Sequence, residues 1–166
     1  MDPKKLELVY FQITDIWKRL CEEHDDLFTH TCEEYSFLLN SDIESVEKNL
    51  EVKDHTISQI AKLDTLRQGI IESLEKDLKK PIKNVSKLLE IMFDFELERE
   101  QKHLRRFNAL LIDIIERIQV QNLKNKKFLN KALLSLGEIK KEAMGVKGFA
   151  SYGPNGAMKP ITDTKV

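Results

Sequence analysis

The chain has 166 residues, 41% of them apolar and 33% charged, with a formal net charge of −1. That length allows one domain with a modest core, or two or three long helices sharing one. The near-neutral total excludes a molecule-wide attraction to nucleic acid or to an anionic membrane surface.

The charge is nonetheless divided. Residues 1–80 carry 11 basic and 18 acidic side chains, and residues 81–166 carry 16 and 10. Such a division suits self-complementarity, an acidic hairpin lying against a basic helix. Met1-Asp2-Pro3-Lys4-Lys5 has no apolar signal core, and no stretch approaches about 20 uninterrupted apolar residues, so a cytosolic protein with no membrane insertion is expected.

Taken in chain order, the first helix opens with Asp2 as N-cap and Pro3 at the first helical position, where a missing N–H costs little. Its apolar stripe is Leu6, Val9, Tyr10, Ile13, Ile16, Trp17, Leu20, Leu27, Phe28, Tyr35 and Leu38, spaced three and four apart. Cys21 and Cys32 stand on one side of it, about 16 Å apart along the axis, too far to bridge. They read as reduced, half-buried packing residues.

"NSDIE" interrupts the pattern, and Ser41 with Glu44 three residues later has the spacing of a capping box. The second helix carries Ile43, Val46, Leu50, Ile57, Ile60, Leu63, Leu66, Ile70, Leu74 and Leu78 as its stripe and ends before Pro81. A third segment starts near Asn84 or Ser86 and continues to about Met144, where Gly145 supplies a C-cap. Its stripe is Leu88, Met92, Phe95, Leu104, Phe107, Leu111, Ile115, Ile118, Asn122, Asn125, Leu129, Ala132 and Leu136. "ELEREQKHLRR" (96–106) is polar on nearly every side and leaves a hinge or an exposed stretch open there. Asn122 and Asn125 either fix register at a seam or face water as the stripe precesses.

The expected fold is therefore all-α, an elongated antiparallel bundle of about three long helices (about 3–39, 42–79 and 85–144) in a body of residues 1–144. The last 22 residues hold four of the six glycines and two of the four prolines, so residues 145–166 read as a flexible tail. Within it, Gly153-Pro154-Asn155-Gly156 is a β-turn sequence directly after Tyr152.

Catalytic chemistry finds little footing. Glu100-x-x-His103 places a carboxylate and an imidazole on one helix face, as in di-iron bundles, but no second such pair exists. Cys21-x-x-His24 is half a zinc site with no second half. With no phosphate-binding glycine loop, no GxSxG and no nucleophile beside a base, the sequence points away from an enzyme, a metal site or any cofactor.

"NLKNKKFLNKALLSLGEIKKEAM" (122–144) is more telling, with six lysines against two glutamates around a stripe of Phe128, Leu129, Ala132, Leu133, Leu136 and Ile139. Phe128 is its one aromatic residue and it has no arginine, which argues against nucleic acid. The same features suit packing against an acidic or amphipathic partner helix. Leu134 and Met144 widen the apolar face, which fits either a core buried on two sides or a recruiting surface.

Several stretches together resemble one family. "LLNSDIESVEKNLEVKDHTISQIAKLDTLRQGII", with Lys53, Leu63 and Arg67, is similar to the middle of FlgN-type flagellar export chaperones. "RIQVQNLKNKKFLNKALLSL" is similar to their last helix, and "SYGPNG" resembles their Tyr-Gly-x-x-Gly signature. The match covers about residues 1–157, with a longer middle (about 81–103) and a lysine-rich last helix as departures.

The resemblance implies a cytosolic, non-enzymatic chaperone of flagellar type III secretion. Its implied partners are hook–filament junction (hook-associated) proteins, the cytosolic domain of the flagellar export gate, and export ATPase-associated proteins. It implies gate docking for Tyr152 alone; Gly153, Pro154 and Gly156 join it as the turn that presents it, and the apolar stripe of Phe128, Leu129, Ala132, Leu133, Leu136, Ile139 and Met144 is the candidate cargo-binding surface. The other reading of Tyr152 is a staple that folds back, with Phe149, onto the bundle. Outside the resemblance, a non-flagellar helical adaptor or coiled-coil scaffold fits the same pattern.

Overall fold

The computed structural model describes residues 3–98 and 102–144. They form four helices, α1 (Pro3–Leu39), α2 (Ile43–Leu78), α3 (Val85–Glu98) and α4 (His103–Ala143), with no strand among the described residues. The chain divides into two compact units, Met1–Asn125 and Lys126–Val166, with the division falling inside the α4 sequence. The all-helical expectation holds, but the single third helix expected over 85–144 is two helices, α3 and α4.

The first unit is built on an antiparallel hairpin. Lys5 on α1 pairs with Asp77 on α2 at 2.6 Å, and Glu34 pairs with Lys53 at 2.7 Å. The turn between them corrects the capping box expected at Ser41 and Glu44. Ser41 lies at φ 54°, in the left-handed region, and serves the chain reversal. Asp42 is the cap instead: its carboxylate accepts the Ser45 N–H at 3.1 Å and the Ser45 hydroxyl at 2.6 Å. Those two bonds hold the Asp42 carboxyl below the usual carboxylate range. Glu44 turns outward to Lys48 at 2.6 Å rather than reaching back.

α2 ends at Lys79, which takes the left-handed conformation and donates its N–H to the Glu75 carbonyl, two residues ahead of Pro81. Asn84 then caps α3 by accepting the Lys87 N–H at 2.9 Å.

The α1 stripe packs as its spacing predicts, with Val9, Tyr10, Ile13, Ile16, Trp17, Leu20 and Cys21 all buried. Leu63 and Leu74 of α2, Ile82 of the connection, Leu88 and Met92 of α3, and Leu104, Leu111, Ile114 and Ile118 of α4 complete the core. Trp17 is fully enclosed; its indole N–H donates to Asn108 Oδ1 at 3.3 Å, and the Arg67 guanidinium stands 5.4 Å from its ring. Cys21 and Cys32 are both unpaired thiols, Cys21 buried and Cys32 half-buried. Burial, aided by the neighbouring Glu22 charge, pushes the Cys21 thiol up to about 11.

The α2 stripe holds at Ile60, Leu63, Ile70, Leu74 and Leu78, which are buried or packed against the core, and is corrected elsewhere. Ile43, Leu50, Ile57 and Leu66 are exposed, whereas Asn49, Thr56, Leu63 and Leu74 are buried. The inward line over the first half of α2 is thus 49–56–63, rotated about 100°, one residue, from the apolar line 43–50–57. The second half of α1 explains the rotation. Toward α2 it presents half-buried Glu34 and, at the edge, exposed Glu33, and these call for polar neighbours. Asn49 Nδ2 donates to Glu33 Oε2 at 3.4 Å and Lys53 Nζ to Glu34 Oε2 at 2.7 Å.

Candidate functional site

Two polar features stand out within the first unit. The first is Glu96, 2% exposed in the stretch that reads as polar on every side. Its Oε1 accepts the Tyr10 hydroxyl at 3.1 Å and the Leu104 N–H at 3.0 Å, and Arg105 Nε lies 3.6 Å from its Oε2. A helix start has four N–H groups without intrahelical partners, and Glu96 satisfies one of them. This is the local reason that α3 and α4 are separate. Burial first, and the Glu96 charge second, raise the Tyr10 phenol above its ordinary range. Beside this corner, Ser86, Leu89, Glu90, Phe93 and Arg105 line a hollow of about 530 Å³, with the Arg105 guanidinium 4.6 Å from the Phe93 ring.

The second feature closes the unit at its last residue. Asn125 is buried, and its Nδ2 donates to the Thr31 carbonyl at 2.9 Å and to Glu34 Oε2 at 3.0 Å. Its Oδ1 accepts from Gln121 Nε2 at 2.9 Å. With Lys53 on Glu34, these bonds join α1, α2 and α4 in one polar layer. Of the two asparagines on the α4 stripe, Asn125 faces in and Asn122 faces out. One step before the layer, the Lys124 ammonium sits 4.4 Å from the Tyr35 ring.

Beyond Asn125 the character of α4 changes. No described residue of 126–144 is buried. Phe128 and Ala132 are half-buried, while Leu129, Leu133, Leu136, Ile139 and Met144 are 44 to 69% exposed. At about 100° per residue, these seven side chains occupy an arc roughly 160° wide on one side of the helix. Leu134, 70% exposed, stands away from that arc. Lys126 and Lys141 lie along one flank, at and beyond the Met144 edge, with Lys140 just inside that edge, all exposed. An apolar surface of this width with a basic edge is suited to take up an amphipathic helix lengthwise.

The model of the FlgN family, described as FlgN protein, matches residues 8–160. The chain belongs to the FlgN family. FlgN proteins are flagellar export chaperones. No curated protein and no solved structure is matched. Lys53, Leu63 and Arg67, on which the FlgN resemblance partly rests, all serve packing: half-buried Lys53 joins the polar layer, buried Leu63 the core, and half-buried Arg67 the Trp17 ring.

The remaining candidates are quickly placed. Tyr152, Gly153, Pro154 and Gly156 lie outside the described residues, as do Asp2, Glu100, Gly145 and Phe149. His103 is the exposed first residue of α4. Among the described residues no cluster of three or more His, Cys, Asp or Glu side chains is placed to hold a metal ion, and no helix is long and apolar enough to cross a membrane.

Sequence reasoning missed Glu96 and the polar layer. A signal for the former existed: Leu88, Met92 and Glu96 form an unbroken i, i+4 row, which puts the carboxylate on the buried face.

Proposed function

We propose that this FlgN-family chain is a cytosolic chaperone of flagellar type III secretion. It holds the C-terminal amphipathic helices of hook–filament junction proteins and delivers them to the export gate. The observation that carries the reading is the exposed apolar arc of residues 128–144 on α4. A junction subunit's terminal helix must bury its own apolar face to avoid premature association, and this arc offers a matching surface that needs no chemistry to release. The first unit serves as the scaffold in this reading, since the α1 stripe from Val9 to Leu20 is already spent on its core.

Delivery calls for a contact that does not compete with cargo. The Tyr152-Gly153-Pro154-Asn155-Gly156 turn supplies one in this reading, because proline lowers the entropy lost on docking and tyrosine is an effective interface anchor.

Fluorescence titration with a labelled C-terminal peptide of a junction protein tests the proposal. Saturable binding is expected, weakened at least about tenfold by Leu133→Glu with Leu136→Glu, because two charges would then enter an apolar interface. Absence of binding to every junction protein overturns it. Tyr152→Ala is expected to leave helical content and peptide binding unchanged while weakening capture by the gate's cytosolic domain. A lowered melting temperature would mark Tyr152 as a staple instead.

A further inference from the structure

The apolar line that α2 leaves exposed raises a separate question. Ile43, Leu50 and Ile57 repeat every seven residues and are 45 to 62% exposed. Rotating further from the hairpin at about 100° per residue, one meets Asp54, Glu47, Glu51 and Glu44, a row of four exposed acids along the same flank. Glu47, Glu51 and Asp54 make no ion pair among the described residues. This is the charge inverse of the segment 126–144, where Lys126 and Lys141 lie along one edge of the apolar arc and Lys140 just inside it, also without ion pairs among the described residues. The two surfaces also match in length. Residues 43–61 and 126–143 each rise about 25 to 27 Å.

We infer that the acid-flanked line of α2 is a docking surface for the basic segment 126–144 of a second copy of this chain. The handedness of the helices fixes the orientation. On both surfaces the charged row lies on the same rotational side of the apolar line. Two facing helices bring such rows together only when they run antiparallel; in a parallel pair the rows would lie on opposite sides. The pairing is therefore antiparallel, with the Glu44 end of the α2 line toward Lys140 and Lys141. Reciprocal exchange, each copy giving its basic segment and receiving the other's, closes a two-fold dimer. Since the same segment is the proposed cargo surface, the dimer is a store in which that surface is covered. The inference does not depend on cargo identity, because its readout is the mass of the chain alone.

Sedimentation velocity of the full chain tests it. A dimer is expected at about 50 mM salt and monomer at about 500 mM, where the screening length falls to a few ångströms. Two triple variants, Glu47→Lys/Glu51→Lys/Asp54→Lys and Lys126→Glu/Lys140→Glu/Lys141→Glu, are each expected to weaken the dimer at least tenfold at low salt with circular dichroism unchanged. Mixing the two variants restores the dimer, because every contact then again joins opposite charges. A chain monomeric at both salts overturns the inference, as does a dimer indifferent to both triples. Loss without restoration on mixing overturns it equally. Junction-peptide binding that fails while the charge-swap pattern holds would remove the proposed function and leave this dimer standing.

Discussion

The two stretches of α4 on either side of Asn125 differ less in sequence than in surroundings. From Leu104 to Ile118 the helix buries Leu104, Leu111, Ile114 and Ile118, and from Lys126 to Met144 it buries nothing. Both stretches carry apolar residues at three- and four-residue spacing, so periodicity alone does not separate core from docking surface. What separates them is the neighbour. The first stretch meets Trp17, Leu20 and the Glu96 corner, and its packing closes at Asn125 with a layer that is polar on all three helices. A polar layer at the edge of a core stops apolar packing at a defined register, because every buried donor there already has an acceptor.

Substitution should reproduce this contrast, most strongly in the core. Trp17→Ala removes a fully buried indole and strands Asn108; unfolding by urea should show a loss of about 3–5 kcal/mol. Glu96→Ala leaves the Leu104 N–H and the Tyr10 hydroxyl without their acceptor and should cost about 2–4 kcal/mol in the same assay. Asn125→Ala strips two donors from the layer and should cost about 1–3 kcal/mol. Leu133→Ala or Leu136→Ala in the second stretch should change stability by no more than about 0.5 kcal/mol. A large loss there would place those leucines in a core and blur the comparison.

The thiols sharpen it at smaller scale. Cys21, held up at about 11 by burial, should be alkylated by iodoacetamide at pH 8 at least tenfold more slowly than half-buried Cys32. Because the folded value is raised, the Cys21 contribution to stability is fully present below about pH 9 and is lost as pH rises through 11. A stability that instead fell between pH 9 and 7 would contradict the assigned burial.

Much of the fold was legible in the sequence, and the misreadings have physical causes. The α1 stripe was correct from Leu6 to Phe28 because those positions belong to the core or pack against it. Over the first half of α2 the stripe was off by one residue because Glu33 and Glu34 of α1 bond Asn49 and Lys53, and apolar spacing carries no information about a polar partner 16 or 19 residues away. The break before His103 was visible only as polarity, since a buried carboxylate capping the next helix looks like a surface glutamate until its partners are known. For the docking segment, sequence gave the arc and its lysines but left open whether something covers them. The structure shows Leu129, Leu133, Leu136, Ile139 and Met144 exposed.

Hydrogen exchange along α4, measured in about 500 mM salt with and without a junction-protein C-terminal peptide, tests the division most directly. The prediction is that amides of 126–144 exchange faster than those of 104–125 in the unliganded chain and gain at least tenfold protection at saturating peptide, while 104–125 is unchanged. Equal protection of the two stretches without peptide, or no gain in 126–144 with it, would contradict the assignment of one helix to two tasks.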